Sequence, residues 1–154
     1  HTLGITQPGA REPRDVRDRG ASRLRALLRH GGCTHEAGNR GDFDACFELI
    51  SNDIVWTNIG STRLSGTYRG KAELLEKLID PLFGQLKAGI SSTIERIFGE
   101  DDYVIALTSG TAETTDGRPY SNRYCQVIRL RDGKFVEVTE YFDTALTGLV
   151  FGFA

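Results

Sequence analysis

From residue 90 to residue 142 the chain reads as β-strand, with β-branched and aromatic residues recurring throughout. Only three short connectors interrupt it: Gly99-Glu100-Asp101-Asp102, Thr115-Asp116-Gly117-Arg118 and Asp132-Gly133. A period of two places side chains alternately on the two faces of a strand, so the pattern predicts strands over 90–98, 103–114, 121–131 and 134–142. Connectors this short cannot carry a crossover. Successive strands must therefore pair as an antiparallel meander. Helical patterns precede this block, and helices followed by strands predict an α+β domain, with helices against one face of a curved sheet.

The upstream half supplies those helices. Residues 1–20 are rich in Arg, Asp, Gly and Pro, lack an apolar period, and read as an arm; residues 21–154 read as one domain. Leu24, Leu27 and Leu28 share a helical face before Gly31-Gly32 interrupts it. Asp42 is placed to cap a second helix carrying Phe43, Cys46, Phe47 and Ile50, which Ser51-Asn52-Asp53 ends. Residues 54–58 alternate as a strand, with Ile54, Trp56 and Asn58 on one face and Val55 and Thr57 on the other. A polar loop with Gly60 and Gly66 follows. Leu74, Leu75, Leu78, Ile79 and Leu82 then form the apolar stripe of a helix over 72–83, which Pro81 bends or ends.

Composition excludes several classes. At 154 residues, 39% hydrophobic and 26% charged, the chain is long and apolar enough for a single folded domain with a real core. A net charge of −2 implies no general attraction to nucleic acid or membrane. No apolar run nears the ~20 residues of a membrane span. The first residues lack the apolar core of a signal peptide, and the expected location is cytoplasmic. Cys33, Cys46 and Cys125 are an odd number without CxxC spacing, which argues against a disulfide framework or a zinc site. His30 and His35 lie five apart, off a common helical face, so no metal site is expected.

Candidate site residues cluster at the ends of the strands. Asp143 directly follows Tyr141 and Phe142 at the end of the last strand, where a fixed carboxylate beside aromatics can serve as a general base. The competing reading makes Asp143 the N-cap of a short helix from Thr144 onward. Trp56 is a ligand-stacking wall or core filling. Asn58 on the same face is a buried amide in need of partners, or a strand-end residue bonding the following loop. Arg123 serves an anionic group or a structural ion pair. Tyr68 and Tyr141 are possible oxyanion donors, or packing residues. If Arg123, Cys125 and Val127 face a pocket, Tyr124, Gln126 and Ile128 face outward and must be covered, which predicts a homodimer through the sheet.

Three blocks in order, AGNRGDFDACFELISNDIVWTN, LSGTYRGKAEL and YSNRYCQVIRLRDGKFVEVTEYFDT, resemble the SnoaL-like branch of the nuclear-transport-factor-2-like superfamily. The resemblance implies a cone-shaped α+β barrel: N-terminal helices packed in a strongly curved, mainly antiparallel sheet around an apolar pocket. Members include polyketide cyclases, ketosteroid isomerases, limonene epoxide hydrolases and non-catalytic binders, so fold alone does not fix chemistry. Set against the epoxide hydrolases, the water-holding Tyr and Asn fall at Trp56 and Asn58. Their Asp-Arg-Asp relay falls at Cys125, Arg123 and Asp143. A thiol is too weak an acid to stand in for a carboxylic acid, which argues against that chemistry. The polyketide cyclases resemble the chain better, with one Asp at the Asp143 place removing an acidic C–H proton. The resemblance thus implies a cofactor-independent enzyme for an apolar or aromatic oxygenated compound. Asp143, Arg123 and Asn58 would be catalytic, and Trp56, Tyr68, Cys125 and Tyr141 would line the pocket. The alternatives are a non-catalytic binding or interaction module, and an epoxide hydrolase with an altered relay.

Overall fold

A computed structural model describes residues 47–152. The arm over 1–20, the helix over 22–30 and most of the helix begun by Phe43 lie outside the described residues. Among the described residues six strands form one sheet: β1 (Ile50–Asn58), β2 (Gly66–Arg69), β3 (Ser91–Glu100), β4 (Tyr103–Glu113), β5 (Pro119–Arg131) and β6 (Lys134–Phe142). Their order across the sheet is β2-β1-β6-β5-β4-β3. β3 to β6 form the antiparallel meander that the short connectors require. Asp101, Asp132 and Gly133 take positive φ, as two-residue hairpin turns demand. β1 lies parallel to β6, and this single parallel pair joins the β1–β2 hairpin to the meander.

Register shifts interrupt β1 between Ile50 and Val55, β3 between Ile94 and Arg96, and the β5–β6 pair between Arg129 and Leu130. Bulges of this kind bend strands and increase twist, and here the sheet curls. Against its concave side lies α1, residues 71–83, which runs as an α-turn Lys71–Leu74, a π segment Leu75–Ile79 and a second α-turn Asp80–Phe83. Pro81 sits at the start of that last turn, where its missing N–H costs least. The core joins Ile54, Leu74, Leu78, Val104, Ile128 and Val138. The last element, α2 (Thr144–Phe151), closes one end and buries Val150 and Phe151 against Leu86 and Tyr120.

Three expectations need correcting. β1 begins at Ile50, so Ser51-Asn52-Asp53 lies inside a strand; the bulge absorbs it, and Asp53 bonds Ser51 and Arg131 at the surface. The polar stretch after Gly60 contains the edge strand β2, which among the described residues takes its ladder bonds from β1. The third concerns which way β5 faces. Tyr120, Asn122 and Ile128 are buried, while Ser121, Arg123 and Arg129 are exposed. Tyr124, Gln126 and Ile128 therefore face inward, and Arg123, Cys125 and Val127 face outward, the reverse of the sequence-based expectation. The inward polar residues are tolerated because they bond there: Asn122 bonds Tyr120 and Thr147, and Gln126 bonds Glu140.

Candidate functional site

Pairing register brings four inward side chains into one row across the sheet. Asn58 on β1 lies opposite Glu140 on β6, Glu140 opposite Gln126 on β5, and Gln126 opposite Ala106 on β4. The neighbouring row is Tyr68, Trp56, Val138, Ile128 and Val104. Gln126 Nε2 donates to Glu140 Oε2 at 2.6 Å. Trp56 Nε1 donates to Asn58 Oδ1 at 2.8 Å, and Asn58 Nδ2 donates to the Leu64 carbonyl at 3.4 Å. The Tyr68 hydroxyl donates to that same carbonyl at 2.7 Å. Asn58 thus does bond the loop that follows its strand.

Glu140 is the unusual member. Burial pushes its carboxyl up to about 7, against a smaller lowering by the Gln126 amide. Among the described residues no cation holds it down. By surface area Glu140 is only part-buried, whereas the protein packed around it is that of a fully enclosed group. The enclosure decides, because a carboxyl packed among protein atoms is desolvated even where one edge stays accessible, and the raised pKa follows from it. A carboxyl poised near neutrality can accept or return a proton at pH 7.

The residues expected to converge do not. Arg123 is 78% exposed on the outer face, where its guanidinium meets Glu95 at 2.5 Å. This is the structural ion pair, and it holds the Glu95 carboxyl below the usual carboxylate range. Cys125 and Tyr141 lie opposite one another on the same outer face. Asp143 is the N-cap of α2, its Oδ1 accepting the Leu146 N–H at 3.0 Å. It opens, with Arg123, Cys125, Tyr141 and Leu107, onto a broad outer recess of about 840 Å³. Trp56, Asn58 and Tyr68 lie inward, as the alternation of β1 implies. Glu140 was missed, although Val138 and Phe142 flank it two residues either side. A carboxylate in the apolar phase of a strand was the available signal.

Beyond the Glu140 row, a hydroxyl network fastens α2 to the sheet. Asn122 Nδ2 lies 3.0 Å from the Tyr120 hydroxyl and 3.0 Å from the Asp143 carbonyl, and Tyr120 bonds both Tyr124 and Thr147. Burial pushes the Tyr124 hydroxyl far above its ordinary value. Its ring lies over Gly110, where an added Cβ would come within 3.1 Å of it and 2.8 Å of Ile90. Among the described residues no cluster of three His, Cys, Asp or Glu side chains could hold a metal ion, and no helix is long and apolar enough to cross a membrane.

The SnoaL-like domain family matches residues 34–138. The chain belongs to that family. Both Glu140 and Asp143 lie beyond the matched stretch, so the match does not choose between them. No functionally curated protein matches the chain. Among solved structures, Bal32a from a soil-derived mobile gene cassette is 21% identical with a TM-score of 0.67, over 88% of this chain and 98% of that one. A Jannaschia protein provisionally described as a SnoaL-like polyketide cyclase is 14% identical with a TM-score of 0.65, over 90% and 96%. TerC, co-crystallised with polyporic acid, is 18% identical with a TM-score of 0.65, over 86% and 98%. At these identities the likeness is one of fold: the NTF2-like α+β cone.

Proposed function

We propose that this SnoaL-like protein is a cofactor-independent enzyme for an apolar or aromatic oxygenated small molecule, with Glu140 as its proton-transferring group. The observation that carries the reading is Glu140 itself. It is a carboxyl enclosed on the concave side of the sheet, bonded through one oxygen to Gln126, with a value near 7. In the proposed step, the other oxygen takes a proton from an acidic C–H or O–H of the ligand. Gln126 holds the carboxylate in place, and Trp56 provides a flat wall. Asp143 fits the role less well, because it caps α2 and its side chain opens outward. The epoxide-hydrolase relay has little support, since Arg123 and Cys125 stand on the outer face away from Asn58.

A screen of aromatic ketones, polyketide-like compounds and epoxides should identify a substrate. On it, Glu140→Gln should lower turnover by about 10²–10⁴-fold while substrate still binds. Turnover should rise with pH through about 7 as Glu140 ionises. Full activity in Glu140→Gln, together with its loss in Asp143→Asn, would return the base to Asp143. If no screened compound is turned over while several bind, the non-catalytic binding reading gains.

The partner proposed for the outer face is a second copy of this chain. Phe98, Tyr103, Ile105 and Tyr141, each 37–50% exposed, all lie on that face. Phe98 pairs with Ile105 and Val127 lies next to Ile105, so an apolar strip crosses β3, β4 and β5 of that face. Arg123–Glu95 and Arg129–Asp102 place both signs of charge around it, so a two-fold copy can approach without net repulsion.

A further inference from the structure

The polar groups around Glu140 are unequally spent. In the row Asn58–Glu140–Gln126–Ala106, the donors are largely consumed inside the protein. Trp56 gives its indole N–H to Asn58 Oδ1, Asn58 gives an amide hydrogen to Leu64, and Gln126 gives one to Glu140. Tyr68, in the neighbouring row, turns its hydroxyl to the Leu64 carbonyl and away from the row. The acceptors are in surplus by lone pairs, because each carboxylate or amide oxygen offers two and each leftover amide nitrogen only one hydrogen. Glu140 Oε1 and the Gln126 amide oxygen carry no hydrogen-bond partner among the described residues, and the Tyr124 phenol is close enough to Glu140 for the two to interact electrostatically. One hydrogen of Asn58 Nδ2 is the row's leftover donor besides the second Gln126 amide hydrogen.

Charge points the same way. Every Arg and Lys among the described residues is exposed except Lys71, and Lys71 is held over the Phe47 ring at 4.5 Å. No described cation faces Glu140. A ligand anion at this row would meet two unpaired acceptor oxygens and no positive charge, in a setting where an unpaired buried charge is costly. A ligand donor would complete the row's hydrogen bonds. Beside the row stand Trp56 and, from the next row, the rings of Tyr124 and Phe142, 5.7 Å apart, which offer flat apolar surface to an aromatic ring.

We infer that this site selects ligands by hydrogen-bond polarity: it takes an aromatic compound that presents an O–H or N–H donor to Glu140 and Gln126, and it excludes aromatic carboxylates and other anions. The inference rests on the proposed function placing the ligand at the Glu140 row, but not on Glu140 being a base. It extends the proposed function by fixing the sign of the group that the substrate turns toward the carboxylate.

Three ligands with one ring test it: benzyl alcohol, benzylamine and benzoate, titrated at pH 8 into the whole chain. The sole tryptophan provides the readout, since the Trp56 indole N–H gives a single resolved side-chain signal in a heteronuclear NMR spectrum. Benzyl alcohol and benzylamine should shift that signal, and benzoate should bind at least tenfold more weakly than the amine. Glu140→Gln should weaken benzylamine by about 10–100-fold, the span of a lost charge-assisted hydrogen bond, and should narrow the gap to benzoate. Gln126→Leu leaves the carboxylate in place and removes its neighbour. It should weaken benzyl alcohol severalfold without helping benzoate, and it keeps the test open if Glu140→Gln fails to fold. The inference is overturned if benzoate binds as tightly as benzylamine, if a folded Glu140→Gln loses all three ligands equally, or if none of the three perturbs Trp56. Donor preference with full turnover in Glu140→Gln would sink the base and spare the inference; lost turnover without donor preference would do the opposite.

Discussion

The two faces of the same two strands make the most instructive comparison in this protein. Inward, β6 and β5 carry Val138, Glu140, Phe142, Tyr124, Gln126 and Ile128; outward, they carry Thr139, Tyr141, Arg123, Cys125 and Val127. Both faces mix polar and apolar residues. The inner polar groups are few, enclosed and bonded to one another, so each has a fixed geometry and a strong electrostatic environment. The outer ones are solvated pairs such as Arg123–Glu95, where water and salt screen the charges. A carboxylate gains unusual chemistry from enclosure, not from standing beside aromatics in sequence. Asp143 has the aromatic neighbours, and Glu140 has the enclosure.

The largest expected contrast is catalytic. Glu140→Gln should cost about 10²–10⁴ in turnover, equivalent to about 3–5 kcal/mol of barrier, and Asp143→Asn should cost under about tenfold. Steady-state kinetics on a screened substrate decides it, and similar losses in both variants would erase the distinction between the faces.

The next contrast is in pH dependence. Glu140 sits at about 7 in the folded protein, above its ordinary 4.5. The folded state therefore binds this proton more tightly than the unfolded chain. The stabilisation is complete below pH 4.5 and is lost as pH rises through 7, by about 3 kcal/mol in total. Urea unfolding across pH 4.5–8 should show that decline, and Glu140→Gln should flatten it. An unchanged slope in the variant would mean that the carboxyl is not enclosed as described.

The outer face should answer to assembly instead. Tyr141→Glu places a charge amid the apolar surface and should shift sedimentation at micromolar concentration from dimer to monomer, at least tenfold in the dissociation constant. A wild-type protein that runs only near 17.0 kDa would remove the second copy from that face.

The smallest effects belong to the residues that sequence alone singled out. Asp143→Ala removes an N-cap and should lower stability by about 1 kcal/mol. Arg123→Ala should leave unfolding unchanged, as an exposed ion pair implies. A large loss of stability in Arg123→Ala would show that the outer face does more than carry solvated charge.

Much of the architecture was legible before the fold was known. The turns at Asp101-Asp102 and Asp132-Gly133, the four meander strands, the leucine stripe of α1 and the cap at Asp143 all rest on interactions within a few residues, and local sequence encodes those directly. β2 was not legible, because four residues of Gly66–Arg69 become a strand only when β1 offers its edge. Nor was the parallel β1–β6 pair, which joins segments about eighty residues apart. The phase of β5 was the decisive loss. Its even positions hold Asn122, Tyr124, Gln126 and Ile128, and its odd positions hold Arg123, Cys125, Val127 and Arg129, so neither set is plainly the apolar one. Sequence determined that these strands exist, where they turn and which family they belong to. Only the tertiary structure decided which face curls inward, and hence that Glu140 rather than Asp143 is enclosed, because burial comes from distant segments packing together and no local pattern carries it.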